Sequence, residues 1–194
     1  MLFHTPTDSD HFGYAEEYIG VDIYSSKKTF ESIDMKYNYH AVEPNKQFDI
    51  DEFRIIPFDV KHDVRCFGYL INHNECGNVL FATDCVYLPF TFDKLNNILI
   101  EANYRLDILD RNTENGILPT IQRNRVINSH LSFDTCKEVL LANDLSAVNN
   151  IVLIHLSDGN SNALEFQKGI HEATGKTVHV AEKGMTLSFN KTPF

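Results

Sequence analysis

At 194 residues the chain is long enough to bury a sizeable core and short enough to be expected as one domain, residues 1–194. With 43% apolar and 23% charged residues and no low-complexity tract, it has the composition of a soluble globular protein, and no apolar run approaches the length needed to cross a bilayer. A net charge of -10 argues against non-specific binding to nucleic acid, which needs basic surface to displace counterions. It leaves open a nucleotide or nucleic-acid substrate held by metal, because a bound cation reverses the local field.

In chain order, residues 12–19 read as a helix with Tyr14 and Tyr18 one turn apart and Gly20 as its stop. A strand follows over 21–24, then a short helix capped by Ser25 and Ser26 and running to 33. YNYHAV, KQFDID and FRIIPFDV read as three strands, with Pro44-Asn45 turning the first into the second. CFGYLINH and NVLFATD are two more strands, and NILIEA is a buried one. A helix is predicted over 104–111, broken by Asn115-Gly116 and Pro119. The clearest helix covers 132–143: Ser132 is the N-cap, and Phe133, Cys136, Val139 and Leu140 make one apolar face. NIVLIHL then reads as a strand, 162–173 as a helix ended by Gly175, and TVHVA and MTLSF as final strands. Strands in a run, then strands alternating with helices, indicate an α/β protein with helices packed outside sheets.

Chemistry-bearing residues recur where these strands end. TDSDH places His11 after Asp8 and Asp10; His62 follows FDVK, Asp84 ends LFATD, His130 lies in INSHLS and His155 in VLIHLSDGN. Imidazole and carboxylate ligands collected from several strand ends are what a divalent metal site requires. His40, His73, His171 and His179 are read as structural, as are Phe12, Tyr14 and Tyr18; Asp59, Asp63 and Asp158 read as turn or cap acceptors, with Asp158 able to orient a ligand. Cys66, Cys76, Cys85 and Cys136 have no C-x-x-C spacing, so reduced thiols in a cytoplasmic setting, without a membrane, are expected.

The order D-x-D-H, a His opening a loop, an Asp after an apolar strand and a His after a late strand resembles the metallo-β-lactamase superfamily. PFDVKHDVRCFGYLI, LFATD, LIEANY, INSHLS and LIHLSDGNS carry that resemblance, and they are closest to its phosphodiesterase branch, the ribonuclease Z-like and phage-type metallohydrolases. The resemblance implies an αββα sandwich and a metal site, with zinc expected at two positions and manganese as a possible substitute. It implies Asp10 and His11 as ligands of one metal completed by His155, Asp84 as the bridging carboxylate and His62 on the other metal, with Asp8 as a further ligand. It also implies that Glu101 sits behind His130 and orients it as a proton donor for an alkoxide leaving group. Glu101, His130 and Asp10 are therefore the expected catalytic residues.

Two departures accompany the resemblance. Where the family has H-x-H-x-D-H, this chain reads Pro6-Thr7-Asp8-Ser9-Asp10-His11; proline has no side-chain ligand, and His4 is two residues out of register. The first metal site is accordingly expected to be weaker than the family norm. The fold also usually has several strands before this motif, so an N-terminally truncated sandwich is expected, with a homodimer covering the exposed sheet edge. The implied function is hydrolysis of a small nucleotide or short nucleic-acid phosphodiester by a hydroxide held between metals. A catalytically impaired binding protein and a thioester or lactone hydrolase on the same scaffold stay open beside it.

Overall fold

In the computed structural model, which describes residues 2–3, 20–31, 38–62 and 65–193, a seven-stranded and a three-stranded sheet are layered with helices. The larger sheet contains β4 (Phe48–Ile50), β5 (Phe53–Val60), β6 (Cys66–His73), β7 (Gly77–Ala82), β8 (Leu95–Glu101), β9 (Asn150–Ile154) and β10 (Thr177–Val180), in the spatial order β10-β9-β8-β7-β6-β5-β4. From β4 to β7 the pairing is antiparallel; from β7 to β10 it is parallel. β5 and β7 both run antiparallel to β6, so β5, β7, β8 and β9 all end at one edge of the sheet. Three short parallel strands, β1 (Leu2–Phe3), β2 (Ile23–Ser25) and β3 (Tyr39–Ala41), make the smaller sheet.

Period-two alternation sorts the large sheet into two faces. Phe58 and Val60 of β5, Cys66 of β6, Leu80 and Ala82 of β7, Ile98 and Ile100 of β8, and Ile151 and Leu153 of β9 point to the main core. That core is closed by helix α4 (Phe133–Leu141) through Phe133, Cys136, Val139 and Leu140, and by α5 (Ala163–Thr174) through Phe166 and Ile170. The alternate residues Ile55, Phe67 and Tyr69 form a second cluster with Val42, Phe48 and Phe81. This face meets the small sheet: the Tyr69 hydroxyl donates to the Tyr24 carbonyl at 3.4 Å, and the Tyr24 and Phe48 rings stack at 5.3 Å. Helix α1 (Lys27–Glu31) lies on the small sheet, with Phe30 against Tyr39. Pro57 is tolerated in β5 because β4 has ended before reaching it, so its missing N–H removes no ladder bond.

Most predicted strands lie where the pattern puts them; FRIIPFDV and CFGYLINH coincide with β5 and β6 residue for residue. The predicted helix over 12–19 lies outside the described residues. The break read at Asn115-Gly116 is where α2 (Leu106–Glu114) ends, with Asn115 as its C-cap, but a helix absent from the sequence reading follows: α3 (Thr120–Ser129), with Pro119 as its N-cap. Proline serves a helix start because its absent N–H is not needed there. The apolar periodicity of α3 is poor; Ile121 is exposed while Val126 and Ile127 pack with Tyr104, Leu109 and Leu118. MTLSF forms no strand. Just past it the chain is held without a ladder: Asn97 and Asn149 donate to the Asn190 carbonyl at 3.1 and 2.8 Å, Asn96 donates to the Lys191 carbonyl at 3.0 Å, and Lys191 N–H donates to the Glu75 carbonyl at 2.7 Å.

Candidate metal centre

The edge where β5, β7, β8 and β9 end gathers Asp84, Glu101, His130 and His155. Glu101 is the last residue of β8, Asp84 lies two residues beyond β7 and His155 one beyond β9. His130 is the C-cap of α3, where the chain leaves the helix for extended backbone. One ligand atom from each of the four lies within 4.8 Å of the others.

Glu101 organises the group. It is fully buried, and both of its oxygens are engaged. Oε1 lies 2.8 Å from His130 Nδ1 and 2.9 Å from His155 Nδ1; Oε2 accepts from the backbone N–H of Cys85 and of Leu131, each at 3.2 Å. Four donors thus fill the capacity of one carboxylate. Engaging Nδ1 of each ring makes Nε2 its basic nitrogen. Asp84, only 2% exposed, faces the same pair, with Oδ1 at 3.3 Å from His155 Nδ1 and 3.8 Å from His130 Nδ1. Thr83 Oγ1 is 3.4 Å from His155 Nδ1.

The backbone is bent to make this possible. Asp84 and His155 both adopt left-handed conformations, at φ 51° and 56°. A residue with a Cβ pays roughly 1–2 kcal/mol in that region, and such outliers concentrate at functional sites. Asp84 and His155 follow β7 and β9, the two strands that flank β8, so both turns lie beside Glu101 at the end of β8. Beneath them lie buried thiols: burial pushes Cys85 well above the ordinary thiol range, with Glu101 adding to the effect, and pushes Cys136 up likewise, so both remain protonated.

Of the sequence-predicted residues, the structure brings together Asp84, Glu101, His130 and His155 and places His62 beside them, its ring 6.4 Å from that of His130. Asp8, Asp10 and His11 lie outside the described residues. Of the residues read as structural, His40 meets Asp22, His73 meets Glu52, His171 meets the Lys176 carbonyl, and Asp59 takes a hydrogen bond from Arg65, while Phe12, Tyr14, Tyr18 and Asp63 lie outside the described residues. What the sequence reading lacked is the tie from Glu101 to His155. Its signal was present, since a glutamate ending the apolar run of β8 must find partners once buried.

The residues present fit a divalent cation. Two buried carboxylates face two imidazoles, which are the ion-pair partners of Glu101 among the described residues. Oxygen and nitrogen donors in this mixture suit zinc, manganese and similar ions.

The chain matches no protein-family model. No curated protein sequence matches it either. Among solved structures, it is similar to the metallo-β-lactamase fold protein YhfI from Bacillus subtilis, with a TM-score of 0.67 and 15% identity over 96% of this chain and 76% of the other. It is also similar to human tRNase Z, short form, with a TM-score of 0.55 and 17% identity over 96% of this chain and 78% of the other. A diphosphatase from the PhnP family gives 0.55 and 16% over 86% of this chain and 57% of the other. At these identities the likeness speaks to architecture, and with the layered sheets described above it shows that the chain has the metallo-β-lactamase fold.

Proposed function

We propose that the protein is a metal-dependent hydrolase acting on a phosphodiester, with a small nucleotide or short nucleic acid as substrate. The observation that carries the proposal is the buried Glu101 carboxylate gripping two imidazoles beside Asp84 at the strand-end edge of this fold. Asp84 and His155 would hold metal, with His62 and the N-terminal Asp8, Asp10 and His11 contributing. When bound, the ion would supply Lewis acidity and lower the pKa of water at the site.

His130 is assigned the proton-donor role. Glu101 holds its Nδ1 at 2.8 Å, fixing the ring so that Nε2, in the protonated imidazolium form, delivers its proton to the leaving oxygen and returns to the neutral ring. A hydrolase of activated acyl compounds does not need a positioned donor of that kind, which favours chemistry with an alkoxide leaving group. The likeness to a diphosphatase and to a tRNase Z supports a bond to phosphorus. The net charge of -10 favours a small substrate over long structured RNA.

The test is hydrolysis of bis-p-nitrophenyl phosphate by protein reconstituted with zinc or manganese, with metal counted on the same sample. The expected result is activity that a chelator removes and metal restores. Stoichiometric metal without phosphodiester hydrolysis would overturn the substrate assignment and turn attention to thioesters and lactones. No bound metal would overturn the hydrolase reading itself.

A further inference from the structure

His130 and His155 reach Glu101 from different parts of the chain, and one residue ties both of those parts to β8. Asn103, two residues past Glu101, is buried at 7% exposure. Its backbone N–H donates to the Leu131 carbonyl at 2.9 Å, next to His130. Its backbone carbonyl accepts from Ser157 N–H at 2.9 Å, and its side-chain amide donates to the His155 carbonyl at 2.8 Å.

The last of these bonds falls on the left-handed residue. A hydrogen bond to a buried carbonyl is of the same order as the cost of a left-handed backbone with a Cβ, so it can hold His155 in that conformation. On one side Ile154 is fixed by its carbonyl, which accepts from Ala102 N–H at 3.1 Å; on the other Ser157 is fixed by Asn103 itself. The freedom left to the turn is the orientation of the His155 peptide, and that is what the Asn103 amide sets.

We infer that Asn103 is the positioning residue for His155: its side-chain amide holds the left-handed turn that aims the imidazole at Glu101 and Asp84. The geometry of this assignment stands on the hydrogen bonds of Asn103, while its consequence for metal rests on the hydrolase reading above. Outer partners of metal ligands are typically worth 10–100-fold in affinity, so the effect falls within easy measurement.

The experiment compares full-length wild type with Asn103→Ala and Asn103→Leu, the second keeping most of the side-chain volume. Zinc affinity is measured by competition with a chromogenic chelator. Ring nitrogen-15 shifts of His130 and His155 are recorded on the metal-free proteins, with a thermal melt of each to confirm folding. Both variants keep the backbone bond from residue 103 to Leu131, so His130 serves as an internal reference.

The expected result is zinc affinity weakened by about 10-fold or more, with His155 shifting from a single Nδ1–H tautomer to a mixture and His130 unchanged. A merely structural residue would lower the melting temperature and leave His155 and the zinc affinity of the folded fraction as in wild type, and that result would overturn the assignment. Should wild type bind no zinc, the hydrolase reading falls separately, and the His155 tautomer alone decides the role of Asn103. If neither variant folds, the same spectra on Asn103→Ser decide it, with an unaltered His155 ring counting against the assignment.

Discussion

At the residue scale, the test of the proposed chemistry is the identity of the leaving group. A general acid matters in proportion to how badly the departing oxygen needs a proton, and it contributes typically 10²–10⁴-fold where that need is strong. Nitrophenolate leaves without help; a nucleoside alkoxide does not. His130→Ala is therefore expected to cut hydrolysis of a dinucleotide by about two orders of magnitude or more, and to change bis-p-nitrophenyl phosphate turnover far less, with metal content unaltered. Equal losses on both substrates would remove His130 from proton donation and assign it to binding. The pairing of Glu101 with His130 was legible in the sequence as two short stretches of text, LIEANY and INSHLS, and the structure puts their side chains at 2.8 Å. The grip of Glu101 on His155 and of Asn103 on the His155 carbonyl was not legible, because both depend on a left-handed turn 52 and 54 residues away that no local pattern announces.

At the scale of elements, alternation and capping residues carried most of the information. Ser132 and Asn162 cap α4 and α5 by accepting from the N–H three residues on, as their types indicate, and Gly175 closes α5 at φ 67°. Pattern failed where contrast was weak, as in α3, and where an apolar run joined no ladder, as in MTLSF. Packing inside the core is a further level that sequence does not display. Gly68 in β6 lies opposite Phe58 of β5, and a Cβ built there would sit 2.3 Å from Phe58 Cζ. The ring has no room to retreat, because it is 3% exposed and packed against Phe90 and Phe92 at 5.8 and 4.9 Å. Gly68→Ala is thus expected to lose about 1–3 kcal/mol of stability through overpacking, read as a lower urea midpoint at unchanged slope. A wild-type midpoint would mean that the β5–β6 pair yields at little cost.

At the scale of the whole molecule, topology decides where charge accumulates. The parallel half of the sheet delivers Asp84, Glu101 and His155 to one edge, and the α3–α4 connection delivers His130 to the same place. The fold therefore buries two carboxylates at a point where β-structure alone supplies no cation, in a chain already at a net charge of -10. Burial of anions is costly unless they are paired, and imidazoles pair them only while carrying protons. A divalent ion that binds the folded state and not the unfolded chain relieves this cost, and mass action fixes the size of the effect: about 2.7 kcal/mol at a hundredfold excess over the dissociation constant. For a chain of this length each kcal/mol is worth roughly 2–4 °C. Zinc or manganese is accordingly expected to raise the melting temperature by about 5–10 °C over chelator-treated protein. The increment should shrink in His155→Ala, which removes a ligand, and persist in His130→Ala, which does not. A melt indifferent to both metal and chelator would mean that the buried carboxylates are accommodated by the imidazoles alone, and it would deprive the proposed chemistry of its ion.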